Sequence, residues 1–472
     1  MYKVIWQLGK EAADLELAAG SGSERAGSSA GLLDDVETIG PAEPVFSAPA
    51  PRLRRNQMSL SPEAREDPAY DLASYYHVFV RTWDEAEQVR ERLQNTKGVI
   101  YCEVQGEPSP PVVFSNRDVS EEAAAAPEGF GIEAEVSRNF VDMQRYLLSA
   151  ARDGGVDAAF AWGVPGGRGA GVTLVDIEAG WEFLHEDLRA DLGGLIGGQP
   201  LADPRFIDHG TAILGIVGGD RNGFGVTGIA HESFNKTFAA TFGNGRWNVA
   251  DAILRTGASL QPGDVILIEL QNSGPAGGAL IPIEYWRSEH VAIRTVIENR
   301  GIVVVEAAAN GFQDLDLPVY GGLLSRQSAD SGAILVGAGS SGHSQPPFSR
   351  LSFSNFGSRL DVQGWGEAVV TCGGRSSPQY CDLTPAADRL QCYTGNFGGT
   401  SSASAMVAAT SACVNGALKA AGRRPLPGPL MRRLFVETGT PQVDGPAGSS
   451  SQWIGPLPDL RRAFQRLGLA AP

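Results

Sequence analysis

The sequence predicts an α/β protein with a mostly parallel central sheet and helices on both of its faces, preceded by a small α+β domain. Two observations carry this expectation. From about residue 143 onward, short apolar and β-branched runs recur between helical stretches: Val172-Thr173-Leu174-Val175, Val265-Ile266-Leu267-Ile268, Ile302-Val303-Val304-Val305 and Ile334-Leu335-Val336. Near-continuous apolar strands of this kind belong to sheets buried on both faces. Upstream, Tyr76-His77-Val78-Phe79-Val80 reads as a strand, residues 84–95 as an amphipathic helix, and Val99-Ile100-Tyr101-Cys102-Glu103-Val104 as a second strand, a small β-α-β unit.

Taken in order, residues 1–65 open on a strand pattern at 2–8 and then run through Gly/Ser/Ala/Pro-rich sequence that is expected to be partly disordered. Residues 66–115 hold the β-α-β unit, which Pro108, Pro110 and Pro111 bring to an end. The acidic, alanine-rich stretch within 116–138 reads as a linker. Residues 139–467 form the larger domain, and 468–472 a short tail.

Composition narrows the function. The 472 residues carry 38 basic and 54 acidic side chains, a net charge of −16, which disfavours nucleic acid and anionic membranes as partners. No apolar run reaches the ~18 residues of a membrane span. The start, Met1 to Trp6, is soon followed by Lys10, Glu11, Asp14 and Glu16, so no secretory signal is readable and the compartment stays open. Of the five cysteines, Cys372, Cys381 and Cys392 share a Gly/Ser/Pro-rich loop; one disulfide there and free thiols are equal alternatives.

In parallel sheets reactive groups gather at the carboxyl ends of the strands. Asp176 and Asn310 each follow an apolar run and so are placed on that rim. His209 lies in Asp208-His209-Gly210-Thr211, just before a helical pattern. Ser401 lies in Gly398-Gly399-Thr400-Ser401-Ser402-Ala403-Ser404, where glycines deliver a serine onto a helix of small residues and Thr400 is placed to cap it. Singly, each residue is explained as a cap or a packed side chain. Together an acid, a histidine and a serine supply orienter, general base and nucleophile, and a helix start offers N–H groups to an oxyanion. The chain order Asp, His, Ser is one of the convergent solutions to acyl transfer.

At these motifs the chain resembles the subtilisin-like serine proteases. Val172-Thr173-Leu174-Val175-Asp176 is similar to the family's aspartate strand, His209-Gly210-Thr211 to its histidine motif and Gly399-Thr400-Ser401-Ser402-Ala403-Ser404 to its serine motif. Ala308-Ala309-Asn310-Gly311 is similar to the segment that supplies the oxyanion asparagine. The resemblance covers roughly residues 140–467. It implies a serine endopeptidase acting on proteins and peptides as a monomer, with Ser401 as nucleophile, His209 as base, Asp176 as its orienter and Asn310 as oxyanion donor. It also implies a substrate-binding edge at Gln271, Asn272, Ser273 and Gly274. A catalytically inactive relative that uses the same cleft to bind peptides is the alternative reading.

The unit at 75–105 resembles the second half of the inhibitory propeptide of such enzymes. This implies that the N-terminal region is an intramolecular inhibitor, cut off somewhere between about Gln105 and Met143; a permanently attached accessory domain is the alternative. Asp187 and Asn222 match positions that help hold a structural calcium in many relatives, although an Asn-Gly turn explains Asn222 as well; catalysis itself is expected to need no cofactor and no catalytic metal.

The chain also departs from the family pattern. Ile177 and Glu178 follow Asp176 where Thr or Ser and Gly are usual, and Ala212, Ala309 and Ala405 replace a common His, Gly and Pro. The cleft edge reads Ile268-Glu269-Leu270-Gln271 in place of the usual Ser-Leu-Gly. Glu178, Glu269 and Glu306 are all placed near the active rim. Either some of them share a proton and form an acidic subsite or a modified base system, or they bond to backbone and basic groups and shape the pocket.

Overall fold

The computed structural model describes residues 1–19, 42–113, 138–190, 192–243, 245–385 and 388–469. Most of the expected linker, and the Gly/Ser-rich stretch 20–41, lie outside the described residues.

The N-terminal unit is a four-stranded antiparallel sheet built from β1 (Tyr2–Leu8), β2 (Glu43–Pro44), β3 (Tyr75–Val80) and β4 (Val99–Gln105), in the order β2-β3-β1-β4. The β-α-β unit of the sequence is therefore split: β1 inserts between β3 and β4 and runs antiparallel to both. The connecting helix Trp83–Gln94 starts at a capping box, in which Thr82 accepts from Glu85 N–H and Glu85 answers at Thr82 N–H. Its Ala86, Val89 and Leu93 pack on Val4, Trp6 and Val78.

Residues 42–65, read from the sequence as partly disordered, hold the helices Ala50–Met58 and Pro62–Glu66. Val45, Phe46, Leu53 and Leu60 are buried and join a core that also takes in Ile5, Tyr75 and the inner faces of the helices Val249–Ser259 and Arg287–Arg300 of the larger domain. The N-terminal unit thus docks through a continuous apolar core.

The larger domain is organised by a seven-stranded parallel sheet, β5 (Thr173–Glu178), β6 (Leu192–Leu195), β7 (Phe234–Ala239), β8 (Val265–Ile268), β9 (Val303–Ala307), β10 (Ile334–Gly339) and β11 (Val362–Trp365), in the order β11-β10-β9-β8-β5-β7-β6. Alternation along each strand sorts its residues between two cores. Leu174, Val265, Leu267, Val303 and Val305 face the helices Pro204–Gly218 and Thr400–Ala420. Val175, Ile177, Ile266, Ile268 and Val304 face the helices Val249–Ser259 and Arg287–Arg300. The helix Thr400–Ala420 is buried from Thr400 to Leu418, which its run of Ala, Ser and Gly permits because small side chains let the sheet approach closely.

Of the two alternatives for the cysteine loop, the structure has the disulfide, Cys381–Cys392, with Cys372 and Cys413 buried as thiols. No helix among the described residues is long and apolar enough to cross a membrane.

Candidate active site

Alternation on β5 decides which acid reaches the histidine. Asp176 and Glu178, two residues apart, share the face of Leu174, and Glu178 stands nearer the carboxyl end of the strand. His209 sits five residues into a helix that Pro204 opens and Asp203 caps by accepting from Arg205 N–H at 2.9 Å. At that height its Nδ1 meets Glu178 Oε1, and its Nε2 lies 3.0 Å from Ser401 Oγ. The motif places Asp176 at Nδ1; the structure puts Glu178 there. Asp176 instead accepts from Trp181 Nε1 at 2.7 Å through Oδ2. The longer glutamate reaches across the gap because Gly210 has no side chain: a Cβ there would lie 2.6 Å from Glu178 Oε2 and 2.3 Å from Gly180 O.

Ser401 stands in the first turn of the helix Thr400–Ala420. The expected cap at Thr400 is replaced by Asn310, whose Oδ1 accepts from both Thr400 N–H and Thr400 Oγ1 at 3.0 Å. That anchoring leaves Asn310 Nδ2 buried and without an acceptor among the described residues. Ala309, where the family carries glycine, takes a φ of +71°, a left-handed conformation that costs a non-glycine residue about 1 kcal/mol or more.

A third carboxylate completes the cluster. Glu269 accepts from Ser404 Oγ at 2.8 Å, behind the nucleophile. Asp176, Glu178 and Glu269 are all fully buried, and each keeps one oxygen without a donor among the described residues. Burial holds all three well above the ordinary carboxylate range, and mutual repulsion adds to it for Asp176 beside Glu178 and for Glu269 beside both. Burial pushes His209 the other way, below the ordinary imidazole range, against the pull of Asp176. Glu306 is not part of this cluster. It lies on the opposite face of β9, accepts from Glu284 N–H at 2.8 Å, and belongs with the buried Arg359, Glu284 and Asp361 network.

The cleft between Gln271 and the serine is filled by the chain itself. After β4 the backbone enters as an extended segment, and Ser109 pairs with Gln271 by two hydrogen bonds of 2.9 Å. Asn272 Nδ2 donates to Gly106 O at 3.1 Å. Pro111 O accepts from Ser401 N–H at 3.3 Å and lies 2.9 Å from Ser401 Oγ, while Val113 N–H donates to Gly398 O at 3.3 Å. Gly399, at φ +98°, is needed here, since a Cβ would lie 2.1 Å from Pro111 O. Ser273 and Gly274, the other two expected edge residues, turn into a hairpin with residues 279–280 and make no bond to this segment.

The region expected to hold calcium has a different chemistry. Asp187 accepts from Asn222 Nδ2 at 2.7 Å and from Val226 N–H at 2.6 Å, so its oxygens face N–H donors where a cation would require oxygen ligands. Among the described residues no group of three or more His, Cys, Asp or Glu side chains is placed to hold a metal.

The comparisons bear on the fold and the family. Proteases from Pseudoalteromonas arctica superpose with a TM-score of 0.50 at 20% identity, over 70% of this chain and 99% of theirs. Fervidolysin from Fervidobacterium pennivorans, a keratinolytic enzyme related to subtilisin, superposes with a TM-score of 0.56 at 17% identity, over 98% of this chain and 60% of its own. No curated protein matches the sequence. A model of the subtilase family matches residues 199–451, more than half of the chain, and the chain belongs to the subtilase family.

Proposed function

We propose that the protein is a serine endopeptidase that hydrolyses peptide bonds through an acyl-enzyme on Ser401. The observation that carries the reading is the contiguous line from Ser401 Oγ through His209 to Glu178. Glu178 fixes the tautomer with the proton on Nδ1, which leaves Nε2 free to take the serine proton. Ser401 then attacks the substrate carbonyl, and His209 returns the proton to the leaving amine. Glu178 stabilises the imidazolium formed in between. Asn310 Nδ2 and Ser401 N–H converge on the developing oxyanion, a type of stabilisation that typically exceeds the other contributions. Asp176, bonded to Trp181, supports the strand end and its charge; in this reading it is a neighbour of the triad and not the member that holds the histidine.

The N-terminal unit acts in this account as the intramolecular inhibitor, since residues 106–113 occupy the substrate's place. Hydrolysis of an unfolded protein substrate by the processed chain, and its loss in Ser401→Ala, tests the proposal. A processed chain that binds peptides and hydrolyses none would favour the inactive peptide-binding alternative.

A further inference from the structure

The segment in the cleft carries information about what the cleft selects. Three separate pairings fix its register: Ser109 with Gln271, Pro111 O at Ser401, and Val113 N–H on Gly398 O. The bond presented to the serine is therefore Pro111–Val112. Ser109 faces the cleft edge, so by the alternation of an extended chain Pro110 faces away and Pro111 alone withholds an N–H that the edge would receive. Gln271 supplies another anchor. Its side-chain Nε2 donates to Pro110 O at 3.2 Å, while its Oε1 accepts from Asn310 N–H at 2.9 Å. One amide thus ties the segment's carbonyl to the backbone of Asn310, whose Nδ2 is buried without an acceptor among the described residues.

The reason for proline lies in the backbone. Val112 N–H bonds back to Pro110 O at 3.0 Å, closing a three-residue turn around Pro111. The central residue of such a turn needs a φ near −75°, close to the value that a proline ring enforces. Proline reaches this bent geometry with little loss of conformational freedom, and the bend is what directs its carbonyl at Ser401. The Pro111 ring is itself buried.

We propose that the cleft is built to cut on the carboxyl side of proline, with the turn around Pro111 making this preference and Gln271 as the positioning residue that holds the carbonyl before it. This rests on the serine endopeptidase reading. The first bond cut is then the chain's own Pro111–Val112. Ser401 Oγ bonds to the Pro111 carbonyl carbon, its proton passes through His209 to the Val112 nitrogen, and the C–N bond breaks. Water then releases Pro111 as a carboxylate and restores the serine.

The test uses the full chain and two internally quenched peptides, one centred on Ser-Pro-Pro-Val-Val and one on Ser-Pro-Ala-Val-Val. The processed enzyme should begin at Val112 and prefer the first peptide by about tenfold or more in kcat/KM. In Gln271→Ala kcat/KM should fall severalfold for both peptides with their ratio kept, because both carry the proline carbonyl that Gln271 holds; an unchanged kcat/KM would remove the positioning role of Gln271. A new N-terminus elsewhere, an uncut chain that is nevertheless active, or no preference for the proline peptide in the unsubstituted enzyme overturns the inference and leaves the endopeptidase reading standing. If Ser401 takes up no fluorophosphonate and neither peptide nor any protein is cut, both fall together.

Discussion

His209 Nδ1 is held by Glu178, two residues beyond the aspartate that the motif singles out, and Asp176 turns to Trp181. Both acids lie on one face of β5, so the choice between them is one of reach. The chemistry should then depend on the two acids unequally.

Glu178→Gln should lower kcat by about 10³- to 10⁴-fold, because an amide at Nδ1 favours the tautomer whose Nε2 cannot accept the serine proton. Asp176→Asn keeps an oxygen for Trp181 Nε1 and should cost about tenfold or less. Steady-state kinetics of the two variants on one peptide decides the matter, and the opposite order of losses would return the orienting role to Asp176.

The pH profile follows from the same cluster. The active form needs Glu178 ionised and His209 neutral. Burial raises Glu178, and a charge on Asp176 favours protonated His209. Removing that charge in Asp176→Asn weakens the hold of His209 on its proton. This moves the acid limb of kcat/KM to lower pH. A limb that stays in place, or moves up, would mean that Asp176 is not charged in the working enzyme.

Asn310→Ala removes the unpaired Nδ2 donor and the cap on Thr400. Loss of one oxyanion donor typically costs ~3–4 kcal/mol of transition-state stabilisation, so turnover should fall by about two to three orders of magnitude. The effect belongs in kcat more than in KM, and an unchanged kcat would remove Asn310 from the mechanism.

The hold of the N-terminal unit should weaken as pH rises. Glu103 on β4 is fully buried against the larger domain, and Gln105 Nε2 bridges it at 3.0 Å to Glu289, at 2.9 Å. Burial first, and then the Glu289 charge, push Glu103 up to about 7, with Lys3, Arg287 and Tyr101 opposing in part. A carboxyl raised from about 4.5 in the free unit contributes docking stability that is full below about pH 4.5 and lost as pH rises through about 7. At about 1.4 kcal/mol for each pH unit between those two values, the contribution is on the order of 3 kcal/mol. Binding of a separately added N-terminal unit to the processed enzyme, measured at pH 5 and pH 8, should be weaker at pH 8; Glu103→Gln should flatten the difference.

Much of this arrangement was legible in the residues alone. The apolar runs gave the sheet because β-branched strands buried on both faces have few other uses; of the motif residues, His209 Nε2 lies 3.0 Å from Ser401 Oγ, and Asn310 bonds to the neighbouring Thr400. The partner of the histidine was not legible from the motif, although the two-residue spacing of Asp176 and Glu178 already put both on one face. Two further features depended on long-range contact. The insertion of β1 between β3 and β4 joins residues about 70 to 100 positions apart, and the seating of Pro111 on Ser401 joins two segments 290 residues apart. Residues 42–65 misled because their Pro-rich composition reads as loose, whereas Val45, Phe46, Leu53 and Leu60 find a core in the other domain.

The most direct test of the central claim is labelling of the processed protein with a fluorophosphonate, followed by peptide mapping of the adduct. The account predicts one adduct, on Ser401, that fails to form in His209→Ala. Folded, processed protein that takes up no label, or takes it up on another serine, would contradict it.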